Sequence, residues 1–266
     1  MKDSDLLRII FLGDIVGRVG RNAFKQGIPD IIQEYSIDLV IINAENAAGG
    51  VGLNSKTAKE LIDAGADLIT LGDHTWKHKD LVNFLDQSEQ CIRPGNYPDP
   101  AAGKGYTLYE FKGIKIGLMN LIGRVFIDAA LDCPFKKADS FIDNNLNQAD
   151  FVICDFHAEA TSEKYAMAHY LDGKVSLLVG THTHVQTADE QIFPGGMAYI
   201  SDLGMTGVRQ SVIGMDKDVA LKRFLTGRPA AYKLAKGVPA LSGVIVDIST
   251  TDFKAKSINR IYKELS

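Results

Sequence analysis

The sequence predicts an α/β fold of two stacked, mixed β-sheets with helices outside, and three observations carry that expectation. Short β-branched apolar runs alternate with helical patterns through the first 86 residues, the signature of parallel crossovers. The runs YTLYEF and IKIGLMNL, joined through Lys112-Gly113, read instead as an antiparallel hairpin. Several apolar runs stop on an acid, an amide or a histidine. In α/β sheets the ligand crevice lies outside the carboxyl ends of the strands, so those residues are expected on one rim.

In chain order, residues 8–12 predict the first strand, and Asn22 to Tyr35 an amphipathic helix. The run 38–43 predicts the second strand, which leads into the turn AAGGVG and a helix near 55–64 started by Asn54-Ser55. A strand at 67–71 and a helix near 78–86 follow. The stretch RPGNYPDPAAGKG at 93–105 is dense in Pro and Gly and predicts a surface loop. After the hairpin, a loop at 121–136 leads to a helix near 137–147, a strand at 150–155, a helix near 161–171 and a strand at 175–180. Antiparallel pieces are expected at 190–193, 197–200, 243–248 and 254–262, with a helical, basic insert near 216–236. No repeat, low-complexity tract or linker divides the chain, so residues 1–266 are expected to form a single domain.

Apolar residues make up 45% of the chain and charged residues 23%, ordinary values for a soluble globular protein. A net charge of -4 argues against coating a polyanion but leaves room for a local basic groove. Cys91, Cys133 and Cys154 are scattered, form no CxxC pair and no disulfide framework, and read as small hydrophobes. The N-terminal MKDSDLLRII lacks a cationic segment followed by a long apolar stretch, and no run reaches membrane-spanning length. A cytoplasmic location is the resulting expectation.

The strand ends carry the chemistry. Asp14 closes RIIFLGD, Glu45 and Asn46 close DLVIINAEN, and Asp73 and His74 close DLITLGDH. His157 closes FVICDFH, and His182 and His184 close SLLVGTHTH. One acid after a strand is usually a turn residue or a helix cap, and an isolated HxH is often structural. Carboxylates, an amide and imidazoles converging from five strand ends suit hard and borderline metals. His78 and His169 read as ordinary helix residues. In extended backbone, residues two apart point the same way, so the imidazoles of His182 and His184 are expected to face one site. Glu45 is the expected bridge between two ions. Metals roughly 3.5–4 Å apart clamp the attacking and leaving oxygens of a phosphoryl displacement.

At these residues the chain resembles the calcineurin-like metallophosphoesterases and, more narrowly, the bacterial YmdB family of cyclic-nucleotide phosphodiesterases. The matching stretches are FLGDIVGRVGR, INAENAAGGVGL, TLGDHTW, RPGNYP, NLIGRVF, CDFHAE, VGTHTHVQTAD and YISDLGMTG. The resemblance implies a four-layer αββα sandwich with two metal ions, iron first, manganese next and zinc acceptable. It implies that Asp14, Glu45, Asn46 and His184 hold one ion, and Glu45, Asp73, His157 and His182 the other. A metal-bridging hydroxide would attack phosphorus while His74 acts as general acid. The implied substrates are 2',3'- or 3',5'-cyclic nucleotides or another small phosphodiester, RNA-derived ones included, and the implied assembly is a homo-oligomer.

One departure matters: the family has Asn where this chain has Asp73. Three carboxylates rather than two would face the ions, holding metal more tightly and lowering its Lewis acidity. Two rivals therefore stay open, a phosphomonoesterase or RNase using the same centre and a metal-containing nucleotide- or RNA-binding regulator with little turnover. AAGGVGL reads either as a phosphate cradle or as a tight crossover loop. Arg18 and Arg124 could pair with phosphate, and Trp76 and Tyr97 could stack a base, beside the plainer readings of solvated charge and core packing. The basic run KRFLTGRPAAYKLAKG reads as a solvated helical face.

Overall fold

The computed structural model describes residues 5–265, so the opening MKDS of the N-terminal stretch and Ser266 lie outside the described residues. The first half runs β1 (Leu6–Leu12), β2 (Asp14–Ile15), α1 (Gly17–Tyr35), β3 (Leu39–Asn43), α2 (Ser55–Asp63), β4 (Leu68–Thr70) and α3 (Leu81–Gln87). The hairpin β5 (Tyr106–Phe111) and β6 (Ile114–Ile122) follows, then α4 (Pro134–Asn144), β7 (Phe151–His157), α5 (Thr161–Leu171) and β8 (Leu177–Thr181). The last part is β9 (Gln191–Ile192), β10 (Ala198–Ile200), β11 (Met205–Val208), α6 (Lys217–Thr226), β12 (Pro239–Ser249) and β13 (Ala255–Glu264).

One sheet has the order β2-β11-β12-β1-β3-β4, with β13 also paired to β12; the other has the order β5-β6-β7-β8-β10-β9. Strands β1, β3 and β4 are parallel, while β12 runs antiparallel to β1. Strands β6, β7, β8 and β10 are parallel, and β5 closes the second sheet as the antiparallel hairpin.

The alternation of side chains along each strand decides the layering. In β1, Ile9 and Phe11 face the second sheet and meet Leu118, Ile153 and Val179. Their neighbours Ile10 and Leu12 face the other way, onto Phe24, Ile28 and Leu61 of the helices. The second sheet repeats this, with Cys154 and Phe156 against Phe141, Met167 and Leu171. Three cores between four layers make an αββα sandwich. Each fully buried Ile, Leu or Phe contributes about 1.5–3 kcal/mol of transfer free energy. Both faces of the central strands are covered, so the runs read as continuously apolar.

Some elements differ from expectation for identifiable reasons. Helix α1 begins at Gly17 rather than near residue 22, because packing on β11 overrides the low helix propensity of its glycines. Strands β2 and β11 pair over two residues, too few to leave a pattern. The stretch from Arg93 to Tyr97 is buried, not a surface loop. The Arg93 guanidinium donates to the carbonyls of Pro94, Ala101, Ala102 and Gly103, and the Asn96 amide donates to the Ile122 carbonyl at 2.8 Å. These bonds satisfy loop carbonyls that burial would otherwise leave unpaired.

Candidate metal centre

The chain turns after each parallel strand toward the seam between the two sheets, and the polar residues gather there. Asp14 lies on β2, Glu45 and Asn46 follow β3, and Asp73 and His74 follow β4. His157 is the last residue of β7, and His182 and His184 follow β8. One sheet thus supplies the acids and the other the imidazoles, apart from His74.

Two groups of ligand-type atoms result. Glu45, Asp73, His157 and His182 each place one atom within 4.8 Å of the others, and so do Asp14, Glu45 and His184. Glu45 belongs to both. In the first group, His157 Nε2 stands 3.2 Å from Glu45 Oε2, 3.2 Å from Asp73 Oδ1 and 2.9 Å from His182 Nδ1. His182 Nδ1 is 3.5 Å from Asp73 Oδ1. Donors at ~2.0–2.2 Å from an ion stand about 2.8–3.1 Å apart at octahedral angles and about 3.3–3.6 Å apart at tetrahedral ones, so the separations here are of the size a shared ion requires.

In the second group, His184 Nε2 is 3.7 Å from Asp14 Oδ1. That oxygen is buried and has no hydrogen-bond partner among the described residues, while Oδ2 accepts from the His182 N–H at 3.2 Å. A buried carboxylate oxygen left unpaired is costly, and a cation would satisfy it. The backbone also reserves the space: a Cβ on Gly72 would stand 2.1 Å from Glu45 Oε2 and 2.3 Å from His157 Nε2. Only glycine lets the exit of β4 pass so close.

The local field favours positive charge. Burial raises Asp14 above the ordinary carboxylate range. Burial also pushes Glu45 upward, but His157 and His74 outweigh it and hold it below its usual value. Asp73 is held well below, with bonds to His157 and His182 overcoming its burial. Burial opposes a charged His157, yet Glu45, Asp73 and Asp14 raise it to about 10. His74, bonded to Glu45, is raised too.

Asn46 donates from Nδ2 to Glu45 Oε1 (2.8 Å), and Nδ2 lies 3.1 Å from His184 Nε2. Its Oδ1 accepts from His74 Nδ1 at 2.9 Å. An amide ligates an ion through oxygen, so a ligand role for Asn46 requires the amide to turn over, which presents Nδ2 to His74.

The HxH turn corrects a sequence expectation. The backbone is left-handed at His182 (φ 104°) and His184 (φ 66°), not extended. The two imidazoles therefore point into different groups. Such conformations cost about 1–3 kcal/mol each. The turn is held by Asp202, which accepts from the Thr183 N–H at 3.0 Å, and by the Ile213 carbonyl, which accepts from His184 Nδ1 at 3.0 Å.

Several supporting residues escaped sequence reasoning. Asp155, inside the apolar run of β7, accepts from Asn43 Nδ2 (3.0 Å), Thr70 Oγ1 (2.5 Å) and Thr181 Oγ1 (2.8 Å). An acid interrupting a buried strand was the available signal. Glu159 Oε2 lies 3.2 Å from His182 Nε2, and Glu163 accepts from the Arg124 and Val125 N–H groups.

The side chains of Arg18 and Arg124 are exposed. Trp76 packs edge-on against buried Tyr97 at 5.4 Å. The AAGGVG turn is braced by Arg21 Nη1 on the Ala47 carbonyl (2.6 Å) and by His78 Nε2 on the Val51 carbonyl (3.0 Å), and its Gly50 and Val51 line the cleft beside the centre. A cleft of about 590 Å³ opens from the centre, and its far wall is the basic insert, which is therefore not merely a solvated face.

The model of the YmdB-like protein family matches residues 10–261. The chain belongs to the YmdB-like family. This YmdB-like chain is 46% identical over 255 residues to the 2',3'-cyclic-nucleotide 2'-phosphodiesterase of Bacillus subtilis (strain 168), covering 96% of each. It is 36% identical to a crystal structure described as a novel phosphatase from Mycoplasma pneumoniae, with a TM-score of 0.92 over 99% of this chain and 95% of that one. A hypothetical protein from Thermus thermophilus is 40% identical, with a TM-score of 0.90 over 98% and 100% of the respective chains. No helix among the described residues of this YmdB-like protein is long and apolar enough to cross a membrane.

Proposed function

We propose that this phosphoesterase hydrolyses a 2',3'-cyclic nucleotide to a nucleoside monophosphate at a dinuclear metal centre, with the 3',5'-cyclic isomer as the second candidate substrate. The observation that carries the reading is the membership of Glu45 in both donor groups. The activity named for the Bacillus subtilis relative supports the substrate class. Asp14, Glu45, Asn46 and His184 would hold one ion, and Glu45, Asp73, His157 and His182 the other. Iron, manganese or zinc would fit these donors and, when bound, would offset the phosphate's charge and lower the pKa of water toward neutrality.

The chain's own groups do the rest. His74, about a third exposed, stands at the rim of the cleft, where Glu45 favours its proton-carrying form. It donates that proton to the departing ribose oxygen, which would otherwise leave as a strongly basic alkoxide. Asp73 Oδ2 lies 3.8 Å from His74 Nε2 and favours its protonated form. Residues 1–266 act in this reading as one catalytic domain in the cytoplasm.

Metal analysis of freshly purified protein is expected to give two ions per chain. With Mn(II) or Fe(II), 2',3'-cyclic AMP should yield a nucleoside monophosphate. His74→Ala is expected to keep both ions and lose about 10²–10⁴-fold in kcat. A metal-loaded protein that turns over neither cyclic isomer would refute the reading.

A further inference from the structure

The cleft is two-faced. One end is the cluster of Glu45, Asn46, His74, His182 and His184; the other is walled by Ile213, Met215, Arg223, Phe224 and Tyr232, all between β11 and β12. Its volume of about 590 Å³ exceeds what a phosphate alone requires and falls in the ~300–1,000 Å³ range of small-molecule sites.

The wall is built rather than loose. Asp216 caps α6 by accepting from the Asp218 and Val219 N–H groups, and Lys233 Nζ lies 3.1 Å from Asp216 Oδ2. Tyr232 is seated against Gly50, where a Cβ would come within 2.6 Å of the ring. Through the Ile213 carbonyl the same segment orients His184. Yet only Ala220 of α6 is buried, and Phe224 is 83% exposed. Arg223 makes no ion pair among the described residues; its Nη1 stands 3.8 Å from Met215 Sδ. An anchored segment has thus placed an open aromatic ring and an unpaired guanidinium beside the centre.

From this juxtaposition we infer that the β11–β12 segment forms a nucleobase subsite, with Phe224 and Tyr232 as stacking surfaces and Arg223 as donor to the acceptor edge of the base. The inference rests on the phosphodiesterase reading and names the part of the substrate held beyond the phosphate. A base has a π-face for the rings and ring-nitrogen or carbonyl acceptors for Arg223, which donates and cannot accept. An acyl chain would leave that guanidinium unused. Stacking of a base on an aromatic side chain is sequence-tolerant, so the subsite selects nucleosides without choosing strongly among bases.

The test compares kcat/KM for adenosine 2',3'-cyclic phosphate with that for methyl ribofuranoside 2',3'-cyclic phosphate, which lacks the base. The parent should favour the nucleoside, and Phe224→Ala should cut that preference about tenfold, chiefly through KM, while Phe224→Tyr restores it. A second readout needs neither metal nor turnover: saturation transfer from metal-stripped protein to the base protons of adenosine, lost in Phe224→Ala. An unchanged preference, or equal saturation in parent and variant, overturns the subsite. Phe224-dependent adenosine binding by a loaded protein that hydrolyses neither substrate supports the subsite and overturns the hydrolase reading.

Discussion

Thr181 Oγ1 gives its one proton to Asp155 Oδ1 at 2.8 Å, so its 2.8 Å bond to His157 Nδ1 must run the other way. His157 Nδ1 is thereby kept as a donor, so an ion that displaced the Nε2 proton would find that lone pair aimed between Glu45 and Asp73. An outer partner of this kind fixes the tautomer that a metal ligand needs. Thr181→Val keeps the shape and removes the acceptor. Metal affinity or activity should fall ~10–100-fold; unchanged affinity in a metal titration would show that the relay is idle. Asp73 tests the opposite influence, extra charge. Asp73→Asn should retain both ions and hydrolysis but bind metal more weakly, and loss of metal from the purified variant would show Asp73 to be indispensable. At this scale the sequence displayed the terminal donors but hid their supports. Asp14, Glu45 and His157 stand at the ends of apolar runs, whereas Asp155 and Thr181 sit inside such runs and gain meaning only from their cross-strand neighbours.

The elements most legible in the sequence are those whose period matches their burial. The sheet strands read as apolar runs because helices and the other sheet cover both faces, and α2, whose buried Thr57, Ala58 and Leu61 recur at helical spacing, occupies Ser55–Asp63 where a helix near 55–64 is expected. The turns were not legible. The left-handed HxH turn depends on Asp202, which is close to β8 in space but some twenty residues away in sequence. Asp202 accepts from Lys164 Nζ (2.8 Å), the Thr183 N–H (3.0 Å) and the Gly204 N–H (2.9 Å), tying α5 to the turns after β8 and β10. Both charged side chains are almost wholly buried. Lys164→Met would leave that carboxylate buried without its cation, a loss of about 3–5 kcal/mol. Chemical denaturation measures it, and a change below about 1 kcal/mol would mean that the backbone donors alone suffice. Because Thr183 lies between His182 and His184, the variant should also bind metal less well.

The whole molecule is two half-sandwiches joined by an apolar core, with the candidate centre at the rim of the same seam. Asp14, Glu45 and Asp73 come from one sheet, and His157, His182 and His184 from the other, so ions bound there would cross-link the sheets. A ligand that binds only the folded state stabilises it by RT ln(1 + [L]/Kd), about 2.7 kcal/mol at a hundred times Kd. Chelation should therefore lower the melting temperature, and Mn(II) should restore it. The pH dependence sharpens this prediction. In the metal-stripped protein the folded pKa of His157 is raised to about 10 from 6.5. The folded state then binds more protons than the unfolded chain, and stability falls as pH rises. The contribution is fully present below about pH 6.5 and lost as pH passes through about 10. Asp155, pushed by burial to about 6 from 3.8, has the same sign over its own lower window. Stripped protein should thus melt at progressively lower temperature between pH 6.5 and 10. Metal-loaded protein, whose ions replace the proton on His157, should hold its melting temperature across that range. Parallel melting curves with and without metal would show that the seam carries no cations.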